Sequence, residues 1–361
     1  GTGGTGAANQ GNVYIFHQNN NGLQSGDYLG GDGYQKVVNG TISLPAYVTA
    51  DEGTLFTGNI GNGIVQILDR SATDYTISLP DMAINTSADF HIVTGGNITM
   101  LSSYQNQGTG SITLVAGWNG VGGSFSAGSV TYEDDGFGGF NYCKPIITQG
   151  ALGGIDFNDC DTFGNNGATL TIGSAAQTSR VSVGSAGGTN TFAAAGIQMF
   201  SSNSTANAAT QLGYYGDGTA MTGAINVRVK DLGLSLNSGD AAGAFTQIGH
   251  GGRGSNAAGG VNALIDISFC DPGDVSLLGG ANGMNSYAQI GHGGSGLAGN
   301  FSGDVTIDGT RDLALAGGGN QAYAQIGHGG ATGVDPTISA GDPSYVRRAL
   351  SASGTIQVIN T

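Results

Sequence analysis

Positive charge is scarce in this chain. Ten Lys and Arg stand against 25 Asp and Glu in 361 residues, giving a formal net charge of −15, and charged residues are only 10% of the total. An acidic surface repels phosphate backbones, so no nucleic-acid partner is expected. No run of 18 apolar residues occurs, so no membrane span is expected. The usual catalytic and cofactor motifs are missing. There is no Gly-x-Ser-x-Gly elbow with a triad and no His-Glu-x-x-His. Gly-x-Gly-x-x-Gly matches follow from the glycine content, and none opens a helix. Asp32-Gly33 and Asp217-Gly218 resemble turn residues, and a calcium site there would need several more oxygens. No catalytic residue, cofactor or metal is therefore expected. The single tryptophan, Trp118, reads as a packing anchor at a corner rather than a ligand platform. The opening Gly-Thr-Gly-Gly-Thr-Gly has no signal-peptide character and reads as the start of a mature or internal fragment.

Cysteine is limited to three. Cys143 and Cys160 flank one irregular segment, and Cys270 stands apart. Two readings follow: a disulfide between Cys143 and Cys160 in an oxidising compartment, or three unreactive thiols. The spacing resembles no metal motif.

Glycine, by contrast, is 70 of 361 residues. It lacks a Gly-X-Y period, which excludes collagen. Alternating β-branched residues argue against disorder, because they can form a continuous buried stripe. The glycines punctuate a repeat. Gln-Ile-Gly-His-Gly-Gly occurs at 247–252, 289–294 and 325–330, and a degenerate copy, Gln211-Leu212-Gly213-Tyr214-Tyr215-Gly216, carries Tyr214 at the His position. The four glutamines are 36, 42 and 36 residues apart, a period typical of solenoids and arrays.

Each copy closes a longer unit. Ile225, Val227 and Val229 alternate with Asn226 and Arg228 ahead of the second copy. Ile265 and Ile267 precede the third, and Val305 and Ile307 the fourth. Strict alternation marks half-buried strands, and three short strands per unit fit one turn of a β-helix. These seven apolar residues are expected to stack in one core. Gln211, Gln247, Gln289 and Gln325 are expected on one column, about 4.8 Å apart if each unit is a single turn, with each amide donating to the next. One turn per unit is favoured over two. His250, His292 and His328 admit two readings: a metal-binding column, or corner residues bonding neighbouring carbonyls. The second is favoured, because no acidic or Cys partner accompanies them and Tyr214 replaces one. Phe245, Tyr287 and Tyr323, two residues before each Gln, would stack likewise.

Residues 1–90 read as irregular N-terminal rungs or a cap, and 91–361 as a solenoid with insertions at about 129–163 and 331–353. The insertions are expected to project from one face and to carry any binding, with Tyr345, Arg347 and Arg348 in the second. The closing run Gly354 to Ile359 matches the opening strand of another unit, so more protein or another subunit is expected to follow. No helix of ordinary length is convincing; Thr205 to Leu212 is short and uncapped. The fold class is thus all-β, a right-handed parallel β-helix with loop insertions.

Ala288 to Gly294, Ala324 to Gly330, Asp274 to Gly280 and Ile112 to Trp118 resemble repeats of very large bacterial surface and secreted proteins of the filamentous haemagglutinin type. The match runs over about 91–330. The resemblance implies an exported protein acting as a stalk, adhesin or matrix fibre at the cell surface. The partners would be further copies or neighbouring repeats, and host or environmental glycans. Two alternatives stand beside it: a filament subunit stacking end to end without an adhesive role, and a carbohydrate-active β-helix lyase or hydrolase. Scattered basic residues and the lack of convergent Asp pairs weigh against the enzyme.

Overall fold

The computed structural model describes residues 74–120, 155–330 and 350–360, with short gaps at 79–80, 86, 88, 217–218, 254–259, 296–298 and 320–321; elsewhere it describes only the backbone of individual strands. The chain is all-β. Among the described residues the one helical turn is a 3-10 segment, Asn165–Gly167, and the short helix candidate before Leu212 ends in a strand, Thr210–Leu212.

The strands pair in parallel, and they pair with their counterparts one repeat away. Phe90, Ile112, Asn190, Ile225, Ile265, Val305 and Ile356 are successive partners across one sheet. Ile98, Leu170, Ile197, Leu234, Val275 and Leu313 form a second line in that sheet. Tyr104, Val183, Leu212, Ile248, Ile290 and Ile326 form a third line in a separate seven-stranded sheet. A three-stranded sheet of Val261–Asn262, Gly299–Ser302 and Leu350–Ser353 lies on another side. From Asn190 to Ile326 each repeat therefore gives one long strand to the large sheet and one short strand to the seven-stranded sheet. This arrangement of stacked parallel sheets is consistent with a β-solenoid. The strands Val13–His17 and Val65–Asp69 join the same large sheet, next to Phe90–Thr94.

The core lies between the sheets because alternation sends one residue in two toward the axis. Ile225, Val227, Val229, Ile265, Ile267, Val305 and Ile307 are all fully buried and belong to one apolar cluster, which also takes in Leu236, Ile248 and Ile290. Each such side chain contributes about 1.5–3 kcal/mol on burial. The long strands bend where the register slips, after Val229 and after Ser268. Gly233, at φ +88°, supplies a left-handed backbone that an L residue adopts only at a cost at the first of these bends.

The segment between Ile112–Ala116 and Thr169–Gly173 departs from this pattern. Ser124–Phe125 pairs with Leu152–Gly153, and Val130–Glu133 with Lys144–Ile147, both antiparallel. Its last part, residues 155–163, does not project; it folds back against the large sheet, where Ile155, Phe157 and Phe163 pack on Val93, Val115 and Ala193. Trp118 belongs to this cluster and is only 2% exposed. Residues 331–349, which carry most of the second insertion, lie outside the described residues, as do Asp217 and Gly218.

The disulfide joins Cys160 to Cys270, with Cα atoms 5.6 Å apart. The expected Cys143–Cys160 pair is thus corrected; Cys143 itself lies outside the described residues. The physical reason is that segment 155–163 lies across neighbouring coils, which brings Cys160 beside Cys270, 110 positions on in sequence, whereas proximity along the chain decides nothing once a segment is folded across several coils.

Candidate functional site

The feature that singles out this molecule is the corner built by the Gln-Ile-Gly-His-Gly-Gly copies. Short strands Thr246–Ile248, Ala288–Ile290 and Ala324–Ile326 place Gln247, Gln289 and Gln325 in register with one another and with Gln211. Gln211, Gln247 and Gln289 are fully buried. They do not donate to one another's amides. Gln211 Nε2 donates to the Gly249 and Gly251 carbonyls at 2.6 and 2.5 Å. Gln247 donates to those of Gly291 and Gly293 at 2.9 and 2.6 Å, and Gln289 to those of Gly327 and Gly329 at 2.9 and 2.7 Å. Each glutamine thus clasps two backbone carbonyls of the following coil. Gln325 turns back on its own loop, to the Gly327 and His328 carbonyls. The expected amide-to-amide ladder is therefore corrected. The carbonyls of the following Gly-His-Gly turn point out of the strand ladder and need donors.

The histidines form the second column. His250 and His292 stack at 5.4 Å between ring centroids, and His292 and His328 at 4.9 Å. Nδ1 of His250 accepts the Tyr214 N–H at 2.9 Å, Nδ1 of His292 accepts that of His250 at 3.0 Å, and Nδ1 of His328 accepts that of His292 at 3.1 Å. Nε2 lies 2.6–2.8 Å from the carbonyls of Gly223, Ala263 and Gly303 respectively. This fixes each ring as the neutral Nε2–H tautomer, donating within its own coil and accepting from the preceding one. Burial pushes the His250 imidazole down to about 4, although its bond to the Gly223 carbonyl opposes this. His292 is held well below the ordinary range, chiefly by burial and then by the neighbouring His250. Both histidines are neutral at pH 7. With both nitrogens of each ring engaged, the column has no lone pair to offer a metal.

The third column is aromatic. Phe245 and Tyr287 stack at 4.7 Å with planes 2° apart, and Tyr287 and Tyr323 at 4.8 Å with planes 2° apart. Tyr287 and Tyr323 point their hydroxyls at the oxygen of the preceding coil's glutamine, Gln247 and Gln289, at 3.4 and 3.5 Å. Burial raises the Tyr287 phenol above its usual range, so it remains a donor. Phe245 has no hydroxyl, and Gln211 Oε1 is buried without a hydrogen bond among the described residues.

One contributor carries no repeat signature. Gln105, in a short early coil, accepts the Tyr215 N–H at 2.5 Å and donates to the Gly213 carbonyl at 3.4 Å. In register it pairs with Gly184, off the glutamine column, and it reaches across that glycine to the turn of the degenerate copy; its sequence context, Tyr-Gln-Asn-Gln-Gly, offers no copy of the motif. Nothing in the repeat spacing could have identified it.

Among the described residues no group of three or more His, Cys, Asp or Glu gathers as a metal site would require, and no helix is long and apolar enough to cross a membrane. Comparison with protein-family models, with curated proteins and with solved structures gives no match.

Proposed function

We propose that this chain is an extracellular structural protein of a bacterial cell surface, a right-handed parallel β-helix serving as a stalk, adhesin or filament fibre of the filamentous haemagglutinin type. The observation that carries this reading is the corner ladder. Glutamine, histidine and tyrosine are side chains that can bind ligands or move protons. Here their polar atoms bond mainly the backbone of their own and adjacent coils, which favours axial stacking over chemistry. A rod closed in this way suits length and resistance to proteolysis. Binding of glycans or of further copies is assigned to the excursion at 124–153, whose short strands pair antiparallel with one another and break the parallel pattern.

Electron microscopy of native material tests the architecture: slender rods or fibres are expected, and compact particles would overturn it. Purified protein incubated with acidic and neutral polysaccharides should leave them intact, and depolymerisation would overturn the structural role. Deletion of residues 129–154, leaving Cys160 and Phe163 in place, should abolish surface attachment. If attachment persists while fibres no longer form, the excursion is an assembly contact and the adhesin reading fails.

A further inference from the structure

The outward column of the large sheet changes character along the stack. Read by register it runs Val93, Val115, Ala193, Arg228, Ser268 and Asp308. The first three are fully buried, in a cluster separate from the axial core. Three outward apolar residues in a row need a cover, and segment 155–163 supplies it. Phe163 is fully buried there, while Ile155 and Phe157 are half-buried. The segment is tied to its own coil where it rejoins. The Asn119 N–H donates to the Thr162 carbonyl at 3.1 Å, and the Gly164 N–H to that of Ala116 at 3.0 Å. Farther out it is held by Cys160, bonded to Cys270. Cys270 follows Phe269, whose strand is reached from Ile112–Ala116 through Asn190–Phe200 and Ile225–Asn237. The bond therefore ties a coil to the third one beyond it, about 14 Å along the stack at about 4.8 Å per strand. The Asp161 carbonyl also accepts from Asn119 Nδ2 and Asn165 Nδ2 at 2.7 and 2.9 Å, where the segment rejoins its own coil, and across the coils Lys230 stands 3.8 Å from Asp161, whose side chain is 90% exposed. An exposed pair of that kind is too weak to hold a strap.

We propose that residues 155–163 are a redox-released strap, latched by Cys160–Cys270 over the apolar outer patch of Val93, Val115, Trp118 and Ala193. Both cysteines are half-buried, so a small dithiol reaches the bond. One thiolate of the dithiol attacks a sulfur of the pair, forming a mixed disulfide and expelling the other cysteine as thiolate. The second thiolate of the dithiol then displaces the remaining cysteine. Two electrons pass to the protein, the cysteines end as two thiols, and the dithiol ends as its cyclic disulfide. The strap then lifts at Ile155 to Cys160 while the stacked strands stay closed, because their pairing does not pass through the bond.

The sole tryptophan lies in the patch and reports on it. The oxidised protein and the same protein treated with dithiothreitol under native conditions are compared. Reduction is expected to release two additional thiols, to shift Trp118 emission to the red, to raise acrylamide quenching severalfold and to open a protease site within 155–163, with the far-ultraviolet β signal unchanged. The Cys270→Ser variant should match the reduced protein without reductant. If the two thiols appear and Trp118 emission and quenching do not move, packing alone holds the segment and the latch is refuted. If the β signal collapses together with the tryptophan shift, the bond holds the sheet rather than a strap, and the proposal also fails.

Discussion

Phe245 occupies the place that Tyr287 and Tyr323 fill in the next two coils. It keeps the stack but loses a bond, because the hydroxyls of those tyrosines reach the glutamine of the preceding coil, and Gln211 Oε1 is buried and unpartnered among the described residues. A Tyr at this position would point its hydroxyl past Gly252, just as Tyr287 points past Gly294 and Tyr323 past Gly330, where the glycines leave room. A buried acceptor gaining a donor stabilises by about 1 kcal/mol. Phe245→Tyr is therefore expected to raise the urea midpoint with an unchanged slope. A lowered midpoint would show that the site cannot take the hydroxyl.

At the scale of the strand and its turn, the glycine after each Gln-Ile pair sets how closely coils approach. A Cβ on Gly291 would lie 1.9 Å from the Gly327 carbonyl oxygen, and one on Gly249 equally close to that of Gly291. The obstacle is backbone held by parallel pairing, so it cannot swing aside as a side chain would. Gly291→Ala is expected to cost more than about 3 kcal/mol by prising Ala288–Ile290 from Ala324–Ile326. Faster amide exchange at Gly327, whose N–H bonds the Ile290 carbonyl at 2.8 Å, would report the opening. Gly167→Ala is the control. Its φ is +69°, but a Cβ there meets nothing nearer than 3.9 Å, so only the left-handed backbone cost of about 1–2 kcal/mol applies. Equal losses in the two variants would remove the close-approach argument.

For the whole molecule, acid brings two opposed effects. The folded His250 and His292 titrate below the ordinary histidine value, so between that value and the depressed one the unfolded chain binds protons that the fold refuses. Stability is then complete above about pH 6.5 and is lost as pH falls, at about 1.4 kcal/mol per pH unit for each such histidine. His250 alone accounts for roughly 3 kcal/mol by pH 4. Relief of the −15 net charge comes later, as carboxylates protonate near pH 4. Thermal midpoints should therefore be level from pH 8 to 7, fall from 6.5 to 4, and fall less steeply in His292→Gln, whose absolute stability is also lower. A midpoint that rises steadily from pH 7 to 4 would mean that charge repulsion, not the histidine column, governs stability.

Much of the stack was legible in the sequence. Ile225, Val227 and Val229 alternate, the motif recurs at nearly constant spacing, and parallel pairing turns that spacing into columns, since a coil can bury its apolar face only against a like coil in register. The placing of glutamine, histidine and aromatic side chains on shared lines followed from the same periodicity. What those side chains bond did not, because Gln247 reaches a turn 44 residues on and its acceptors are backbone carbonyls that no residue type announces. Gln105 was hidden for a related reason: it stands off the glutamine column, in register with Gly184, and bonds the Gly213–Tyr215 turn from a strand that carries no copy of the motif. The Cys160–Cys270 bond and the burial of Val93, Val115 and Ala193 were decided only by the tertiary structure. Both depend on the path residues 155–163 take across neighbouring coils, and that path is set by contacts between segments far apart in sequence, whereas the periodic pattern records only which face of its own strand a residue occupies.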